Sequence, residues 1–262
     1  MFELARYEGR RRLTGAAALT VGLSLLVALY VGIFPSVSSS VDLDEYIEAF
    51  PPVFREAFGI ATLNTIEGFL AVELYAFGWV VLLGLYFAYA AAEVVADDVE
   101  RGRMDLLLSL PLRRSRVVTE KFLALCVPLV VLNVVVPVVV YVATLLIDDL
   151  ISVPDLLAVH ALSIPYLLST AAVGLLASVV FDRASIAQRA ALAAVFGLYL
   201  VDTVVAGTDY AWLGALAPMR YYDPTAVLVE GTYDLVGAAA LLVATLVLVG
   251  VSELWFARRD VN

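Results

Sequence analysis

The sequence contains few of the side chains that metal binding and redox chemistry use. Among 262 residues there are one cysteine (Cys126), one histidine (His160) and three methionines. One cysteine cannot form an internal disulfide, and the helical zinc-protease motif needs two histidines. A relay for soft metal ions needs more thiols and thioethers than the chain has. These shortages exclude a disulfide-stapled domain, that class of metalloprotease and a soft-metal relay, and we expect no metal site.

Lysine is equally scarce, because Lys121 is the only one and lies in the run Thr-Glu-Lys-Phe. A phosphate-binding P-loop needs a glycine-rich turn directly before Lys-Ser or Lys-Thr, and the chain has none. His160 could be paired with Ser163 or Ser178 as a protease dyad, but a lone histidine near a helix end is more often structural. We therefore expect that the chain is not an enzyme and cannot hydrolyse ATP alone.

Charged residues are also few, at 16% of the chain, whereas apolar residues make up 63% and the mean hydropathy is +0.95. A soluble domain has about 25% charged and about 45–50% apolar residues. A helix that crosses a bilayer needs about 20 mostly apolar residues, and six windows meet this requirement. They lie at about 13–34, 70–92, 119–147, 156–181, 185–206 and 235–256. The sequence predicts an all-α integral membrane protein with six transmembrane helices in a single domain, 1–262.

Basic residues predict the orientation, because cytoplasmic loops carry most of the lysine and arginine. Fourteen of the sixteen fall on one side of the predicted spans. They are Arg6, Arg10, Arg11, Arg12, Arg101, Arg103, Arg113, Arg114, Arg116, Lys121, Arg183, Arg189, Arg258 and Arg259. Both termini and the loop 93–121 are therefore predicted to be cytoplasmic, and the loops 35–69 and 207–234 to be outside. We expect a multi-pass protein of the cell membrane.

The formal net charge is −10, and the acidic residues concentrate on the predicted outer side. The formal charge is −13 on that side and +3 on the cytoplasmic side. Acidic surfaces in a chain with fifteen arginines and one lysine suit a salt-loving organism. The same acids could instead form a vestibule that attracts cations. Because they are spread over several loops, we favour salt adaptation.

The middle thirds of the predicted spans have no ionisable side chain. Glu73, Asp202 and Glu253 each lie within about a turn or two of a predicted end. Ion-coupled transporters place a carboxylate near the membrane midplane. The pattern therefore argues against secondary transport.

The predicted cytoplasmic loop 93–121 combines six acidic and six basic residues with a leucine cluster. Its first part continues the second predicted helix, and Gly102 can end that helix. Residues 104–110 then form a short leucine-rich segment that Pro111 stops. A purely basic loop would suit anionic lipid, whereas a mixed loop with exposed leucines is typical of a protein docking site.

The run Glu100-Arg101-Gly102-Arg103-Met104-Asp105-Leu106-Leu107-Leu108-Ser109-Leu110-Pro111 resembles a motif in the permease subunits of ABC-2 type ABC transporters. That family has Glu-x-Gly-x-x-(Asp/Glu)-Leu-Leu-Leu-Ser-Leu-Pro and an Arg after helix two, usually with Gly-Thr where this chain has Gly102-Arg103. In the family this segment seats in a cleft of the ATP-binding subunit. The resemblance implies a coupling role for Glu93, Asp97, Glu100, Arg101, Gly102, Asp105, Leu106, Leu107, Leu108, Pro111, Arg113 and Arg114.

A second run, residues 217–224, reads Ala-Pro-Met-Arg-Tyr-Tyr-Asp-Pro and is similar to Ser-Pro-Phe-Arg-Tyr-Tyr-Asp-Pro in archaeal members. The apolar pieces 210–219 and 225–229 are too short to span a bilayer. The resemblance implies short re-entrant or interfacial helices on the outer face between helices 5 and 6. Their motif residues would be Pro218, Arg220, Tyr221, Tyr222, Asp223, Pro224 and Gly231. For Arg220 we expect a salt bridge to Asp223 or Glu230 rather than a substrate contact.

Two further segments are predicted to lie at the membrane surfaces. Residues 1–12 are partly amphipathic and can lie in the inner interface, where the family has a connecting helix, although a plain positive anchor explains the arginines equally well. Residues 41–58 carry aromatic side chains among acids and are broken by Pro51-Pro52. They are interpreted as two short amphipathic helices on the outer surface.

As a whole, the resemblance implies the permease subunit of an ATP-driven ABC exporter of haloarchaeal origin. It would dimerise with a second copy or a homologous permease, contact membrane lipids and bind two copies of an ATP-binding subunit that holds ATP and Mg²⁺. No cofactor in this chain and no nucleic-acid partner are expected. The alternative is a non-transporting membrane scaffold or regulator that recruits a soluble partner through the same loop.

Overall fold

The computed structural model describes residues 2–40, 62–109 and 113–259, apart from the side chains of Ser40 and Leu108. These residues form helices and turns and include no strand. The α-helices are α1 (Glu3–Ser40), α2 (Ile66–Leu70), α3 (Gly84–Ala92), α4 (Ala96–Glu100), α5 (Arg103–Leu108), α6 (Arg114–Ala124), α7 (Cys126–Leu146), α8 (Val153–Val180), α9 (Ala184–Val205), α10 (Pro224–Leu228) and α11 (Leu235–Arg258). A π-helical segment (Ala71–Leu83) joins α2 to α3, and two 3₁₀ turns (Ala211–Leu216 and Pro218–Tyr221) precede α10.

Within the described ranges, six helical stretches are long and apolar enough to cross a membrane. They are span 1 (Glu3–Ser39), span 2 (Ile66–Glu100), span 3 (Arg114–Leu146), span 4 (Val153–Val180), span 5 (Ala184–Val205) and span 6 (Leu235–Arg258). The prediction of an all-α protein with six membrane-spanning helices is confirmed. The interpretation of residues 41–58 as two surface helices lies outside the described residues.

Spans 1 and 3 begin before their apolar windows. Span 1 begins at Glu3, so the N-terminal arginines lie on the same helix as the apolar residues. Span 3 begins at Arg114, whereas the predicted cytoplasmic loop ends at Lys121. Its helix is interrupted at Leu125, because the ring of Pro128 collides with the carbonyl of residue 124 and has no N–H to donate.

Span 4 is the centre of the bundle, where it packs against α3 of span 2, span 5 and span 6. Buried residues make up 67% of its apolar window, against 17% for span 5. Small residues allow close approach: a side chain at Gly174 would overlap the Ala88 backbone. Span 1 packs mainly along span 3.

The bundle brings the predicted cytoplasmic parts together at one end. Contacts there join the start of span 1, the end of span 2, the start of span 3, the link between spans 4 and 5, and the end of span 6. We call this the basic end. The opposite end, where residues 207–234 meet spans 2, 4 and 5, is called the acidic end.

Candidate functional site

The first motif lies at the basic end, where span 2 is interrupted. We call residues 93–114 the coupling segment. Between α3 and α4 the backbone N–H groups of Val95 and Ala96 donate to Oγ of Ser178 in span 4, at 2.9 and 3.0 Å. A buried N–H without an acceptor costs about 1–3 kcal/mol. Ser178, which is fully buried, therefore stabilises the interruption.

Two glutamates join the coupling segment to the start of span 5. Glu100 accepts a hydrogen bond from the backbone N–H of Ala184 at 2.9 Å. The N-cap residue of that helix, Arg183, makes no side-chain cap, and a carboxylate is favourable at a helix N-terminus. One turn later, the side-chain amide of Gln188 donates to Glu93 at 3.1 Å. A displacement of the coupling segment would therefore act directly on span 5.

A chain of ion pairs joins the coupling segment to spans 3 and 1. Arg103 lies 2.5 Å from Asp97 and 2.8 Å from Asp98, and Asp98 lies 2.5 Å from Lys121. Lys121 is also 3.5 Å from Glu8 of span 1. Desolvation by itself lowers the pKa of Arg103, but the charges of Asp98 and Asp97 raise it above its ordinary value. The guanidinium therefore stays charged at the centre of this chain.

Glu120 holds the start of span 1. Its carboxylate accepts the backbone N–H groups of Leu4 and Ala5 at 3.0 and 3.2 Å, and the Nε–H of Arg116 at 2.7 Å. These N–H groups belong to the first turn of α1, which has no acceptor within its own helix. A buried carboxylate of span 3 thus caps span 1.

Arg259 connects the far end of the coupling segment to the centre of the bundle. Arg114 donates to the backbone carbonyl of Arg259 at 2.5 Å, and Arg259 donates to the Val179 carbonyl at 2.5 Å. Arg259 also pairs with Asp182 in the link between spans 4 and 5. The start of span 3 and the ends of spans 4 and 6 therefore meet at one residue, Arg259, through its backbone carbonyl and its guanidinium.

Beyond Gly102 the coupling segment turns outward. Gly102 has a φ of +65°, a conformation that glycine adopts without strain, and it separates α4 from α5. In α5 the side chain of Met104 is fully buried, whereas Leu106 is 72% exposed and Asp105 is exposed. Leu107 packs against the edge of the core. The short helix is thus anchored by one face and presents the other.

The remaining predicted coupling residues lie on the surface or outside the described residues. Arg101 pairs with Asp97 at 2.7 Å on the surface, and Arg113 is exposed at the N-cap of α6. The Leu108 side chain and Pro111 lie outside the described residues. Glu93, Glu100 and Arg114 are bonded to other parts of the bundle, whereas Asp105 and Leu106 are exposed on α5.

The second motif lies at the acidic end and enters the bundle through Tyr222. This side chain is 3% exposed, its hydroxyl donates to the Val159 carbonyl at 3.0 Å, and its ring stacks on Tyr166. Burial raises the pKa of Tyr222 well above its ordinary value, and the neighbouring Tyr75 adds to this effect. The hydroxyl therefore stays protonated and remains a donor.

The other residues of this motif shape the backbone or hydrogen-bond to it. Asp223 accepts the N–H groups of Thr225 and Ala226 at 2.9 and 3.1 Å, so it caps α10, and Pro224 takes the first position of that helix. Gly231 has a φ of +64°. Pro218 likewise starts a 3₁₀ turn, and the Tyr221 hydroxyl donates to the Ala215 carbonyl at 2.8 Å.

The expected partner of Arg220 was wrong. Its guanidinium lies 3.8 Å from Asp202 of span 5 and donates to the Ala211 carbonyl, rather than pairing with Asp223 or Glu230. The carboxylate of Asp223 instead accepts two backbone N–H groups of α10, and the acid that pairs with Arg220 comes from span 5. Arg220 therefore connects the motif to span 5.

A family model described as ABC-2 family transporter protein matches residues 19–261. The chain belongs to this family. A search of curated proteins finds no match to it. The ABC-2 family supplies the membrane permease component of ABC transporters, which associates with a separate ATP-binding subunit. The predicted membership of the ABC-2 permease family is thereby confirmed.

The sequence pattern of this ABC-2 chain did not reveal a buried polar network among spans 2, 3 and 4. Nδ1 of His160 lies 3.1 Å from Oδ1 of Asn133, and Nε2 lies 3.0 Å from the Tyr75 hydroxyl. Ser163 also donates to Asn133 at 2.9 Å. Since the amide oxygen can only accept, His160 carries its proton on Nδ1 and accepts from Tyr75. His160 is thus a structural residue that joins three spans.

The sequence pattern also did not reveal which residues of the other spans contact the coupling segment. Ser178 and Gln188 are ordinary polar residues of apolar helices, and nothing in their local pattern marks them. Lys121 carried a signal, because it is the only lysine of the chain. Among the described residues, no cluster of three His, Cys, Asp or Glu side chains could hold a metal ion.

Proposed function

We propose that the chain is the permease subunit of an ATP-driven exporter. Two permeases, either two copies of this chain or this chain and a homologue, would bind two ATP-binding subunits through the coupling segment. The observation that supports this most directly is α5, which displays Leu106 and Asp105 while Met104 anchors it in the core. ATP and Mg²⁺ belong to the partner subunits, and this chain contributes no reacting group.

The contacts of the coupling segment suit a lever. Movement of the ATP-binding subunits would be passed to span 5 through Glu100 and Glu93, and to spans 3 and 1 through Asp98 and Lys121. Hydrogen bonds with an ionised partner are shorter and about twice as strong as neutral ones. The helices would therefore follow the segment and open the permease interface alternately.

The basic end faces the cytoplasm in this proposal, and the membrane is the cell membrane. The positive-inside rule supports this orientation, since fourteen of sixteen basic residues lie at that end. The acidic end then faces outside, where its charge favours solvation in concentrated salt, as in a halophilic organism.

Co-purification with an ATP-binding subunit tests the docking surface. A Walker-motif ATPase encoded beside this chain is the first candidate partner. Leu106→Asp and Asp105→Arg should each reduce its recovery about ten-fold or more. A few residues near the centre of an interface carry most of its binding energy, and both positions are exposed in the free chain. Matched controls are Leu216→Asp and Asp149→Arg, which make the same changes at exposed positions of the acidic end. Equal recovery with all four variants would contradict the docking proposal.

The alternative, a membrane scaffold or regulator, would use the same exposed leucine to recruit a soluble partner. The two functions differ in energy coupling. A permease in reconstituted vesicles should alter the ATPase rate of its partner and move a substrate in response to ATP. A scaffold should retain the partner with neither effect.

A further inference from the structure

A cavity of about 620 Å³ lies at the acidic end between the π-helical segment of span 2, the last turns of span 5 and residues 219–225. Pockets of about 300–1,000 Å³ are typical of small-molecule sites. The segment contributes positions 72, 73, 76, 77, 80 and 81 to the wall. Because i→i+5 hydrogen bonding widens each helical turn, residues four and five apart stay on one face. The cavity therefore has a continuous wall from one helix.

Most of this wall is apolar, and its charges have the sign that suits a cation. Phe77, Val72 and Met219 line it together with three carboxylates, Glu73, Asp202 and Asp223, and one guanidinium, Arg220. The formal charge of these four groups is negative. An apolar wall with few charged groups favours a ligand with an apolar body and a localised charge.

The carboxylates differ in whether they have partners. Asp202 faces Arg220 at 3.8 Å, and Asp223 accepts two backbone N–H groups of α10. The side chain of Glu73, by contrast, forms no hydrogen bond or ion pair with any residue that the structure describes. It lies about two helical turns inside span 2. An ionisable side chain at such a depth is expensive and usually has a functional partner.

We propose that this cavity binds an amphipathic monovalent organic cation, with its apolar body against the π-helical segment and its positive charge beside Glu73. In naming such a cation as the transport substrate, the proposal rests on the proposed permease function. Binding itself requires no ATP-binding subunit, so it can be measured on this chain alone.

Two ions of the same shape and opposite charge test the proposal. The full chain is reconstituted in zwitterionic phosphatidylcholine nanodiscs, and binding of tetraphenylphosphonium and tetraphenylborate is compared with empty nanodiscs. We expect saturable binding of the cation only. Glu73→Gln should weaken it about ten-fold or more, because the neutral amide removes a charge–charge attraction in a partly desolvated site.

Matched variants separate this effect from misfolding. Glu67→Gln changes another glutamate of span 2 that does not line the cavity, and should leave binding unchanged. Glu73→Asp keeps the charge and should retain most of the binding. Phe77→Ala removes an exposed aromatic ring of the wall, so it should weaken binding without unfolding the chain.

Three results would overturn the proposal. Equal binding of tetraphenylborate would mean that charge is not recognised, and unchanged binding in Glu73→Gln would remove the assigned counter-ion. No saturable binding of either ion, as expected if a second copy or an acyl chain fills the cavity, would also refute it. None of these results touches docking to the ATP-binding subunit, which the Leu106 and Asp105 variants test separately.

Discussion

Lys121, the only lysine of the chain, is 3% exposed and lies between the carboxylates of Asp98 and Glu8. A buried charge is tolerated when its partners compensate for lost hydration, and losing one partner leaves the other uncompensated. The same residue connects three segments that are distant in sequence. Its burial therefore gives one side chain both a stabilising role and a place in the path from the coupling segment.

The substitution Lys121→Met should destabilise the folded chain by about 3 kcal/mol, the low end for breaking a buried pair, because Arg103 still neutralises Asp98. Thermal unfolding in detergent would measure this as a lower Tm. Adding Asp98→Leu to Lys121→Met should restore part of the loss, since it removes a buried carboxylate that has lost one of its two cationic partners.

Arg101→Met is the matched control. It removes the ion pair between Arg101 and Asp97, in which the Arg101 side chain is 65% exposed. The loss of stability should therefore stay below about 1 kcal/mol. If Lys121→Met lowered the Tm no more than Arg101→Met does, the buried ion pairs could not be a rigid connection.

At the scale of helices, the spans begin with caps from different sources. Span 6 is capped locally, because Asp234 accepts the N–H of Gly237 at 2.7 Å. Span 5 is capped from the coupling segment by Glu100, and span 1 is capped from span 3 by Glu120. Caps from other segments make the start of one helix depend on the position of another.

Hydrogen exchange can test this dependence. Removing a cap costs about 1 kcal/mol, so Glu100→Ala should make the amides at the start of span 5 exchange about five-fold faster. Asp234→Ala should have the same effect at the start of span 6 and none at span 5. If Glu100→Ala left the exchange of residues 184–188 unchanged, the proposed transmission from α4 to span 5 would lack its contact.

The contrast between local contacts and contacts from other segments explains which features the sequence predicts. Hydropathy predicts the six spans, because each is apolar over more than the thickness of a bilayer. Gly102 marks the end of α4, since a left-handed residue favours glycine. The interruption at residues 93–95 has no such mark, because it depends on Ser178 in span 4. The partner of Arg220 was likewise missed, since helix packing, not local spacing, brings Asp202 near.

At the scale of the whole molecule, charge divides between the two ends. The basic end carries fourteen of the sixteen basic residues, yet its formal charge is only +3 because acids of the same end accompany them. The buried pairs at Arg103 and Lys121 neutralise part of this charge internally. The exposed arginines, not the total charge, therefore determine the expected orientation in the membrane.

Cysteine labelling in intact cells tests that orientation. Cys126→Ala gives a background without cysteine. Into it we would introduce either Trp212→Cys at the acidic end or Leu106→Cys at the basic end. Both positions are about 70% exposed. A membrane-impermeant maleimide should label the Trp212→Cys variant from outside, and the Leu106→Cys variant only after permeabilisation. The cysteine-free background controls for labelling of other proteins. The reverse pattern would place the coupling segment on the face without ATP, where an ATP-binding subunit could not work.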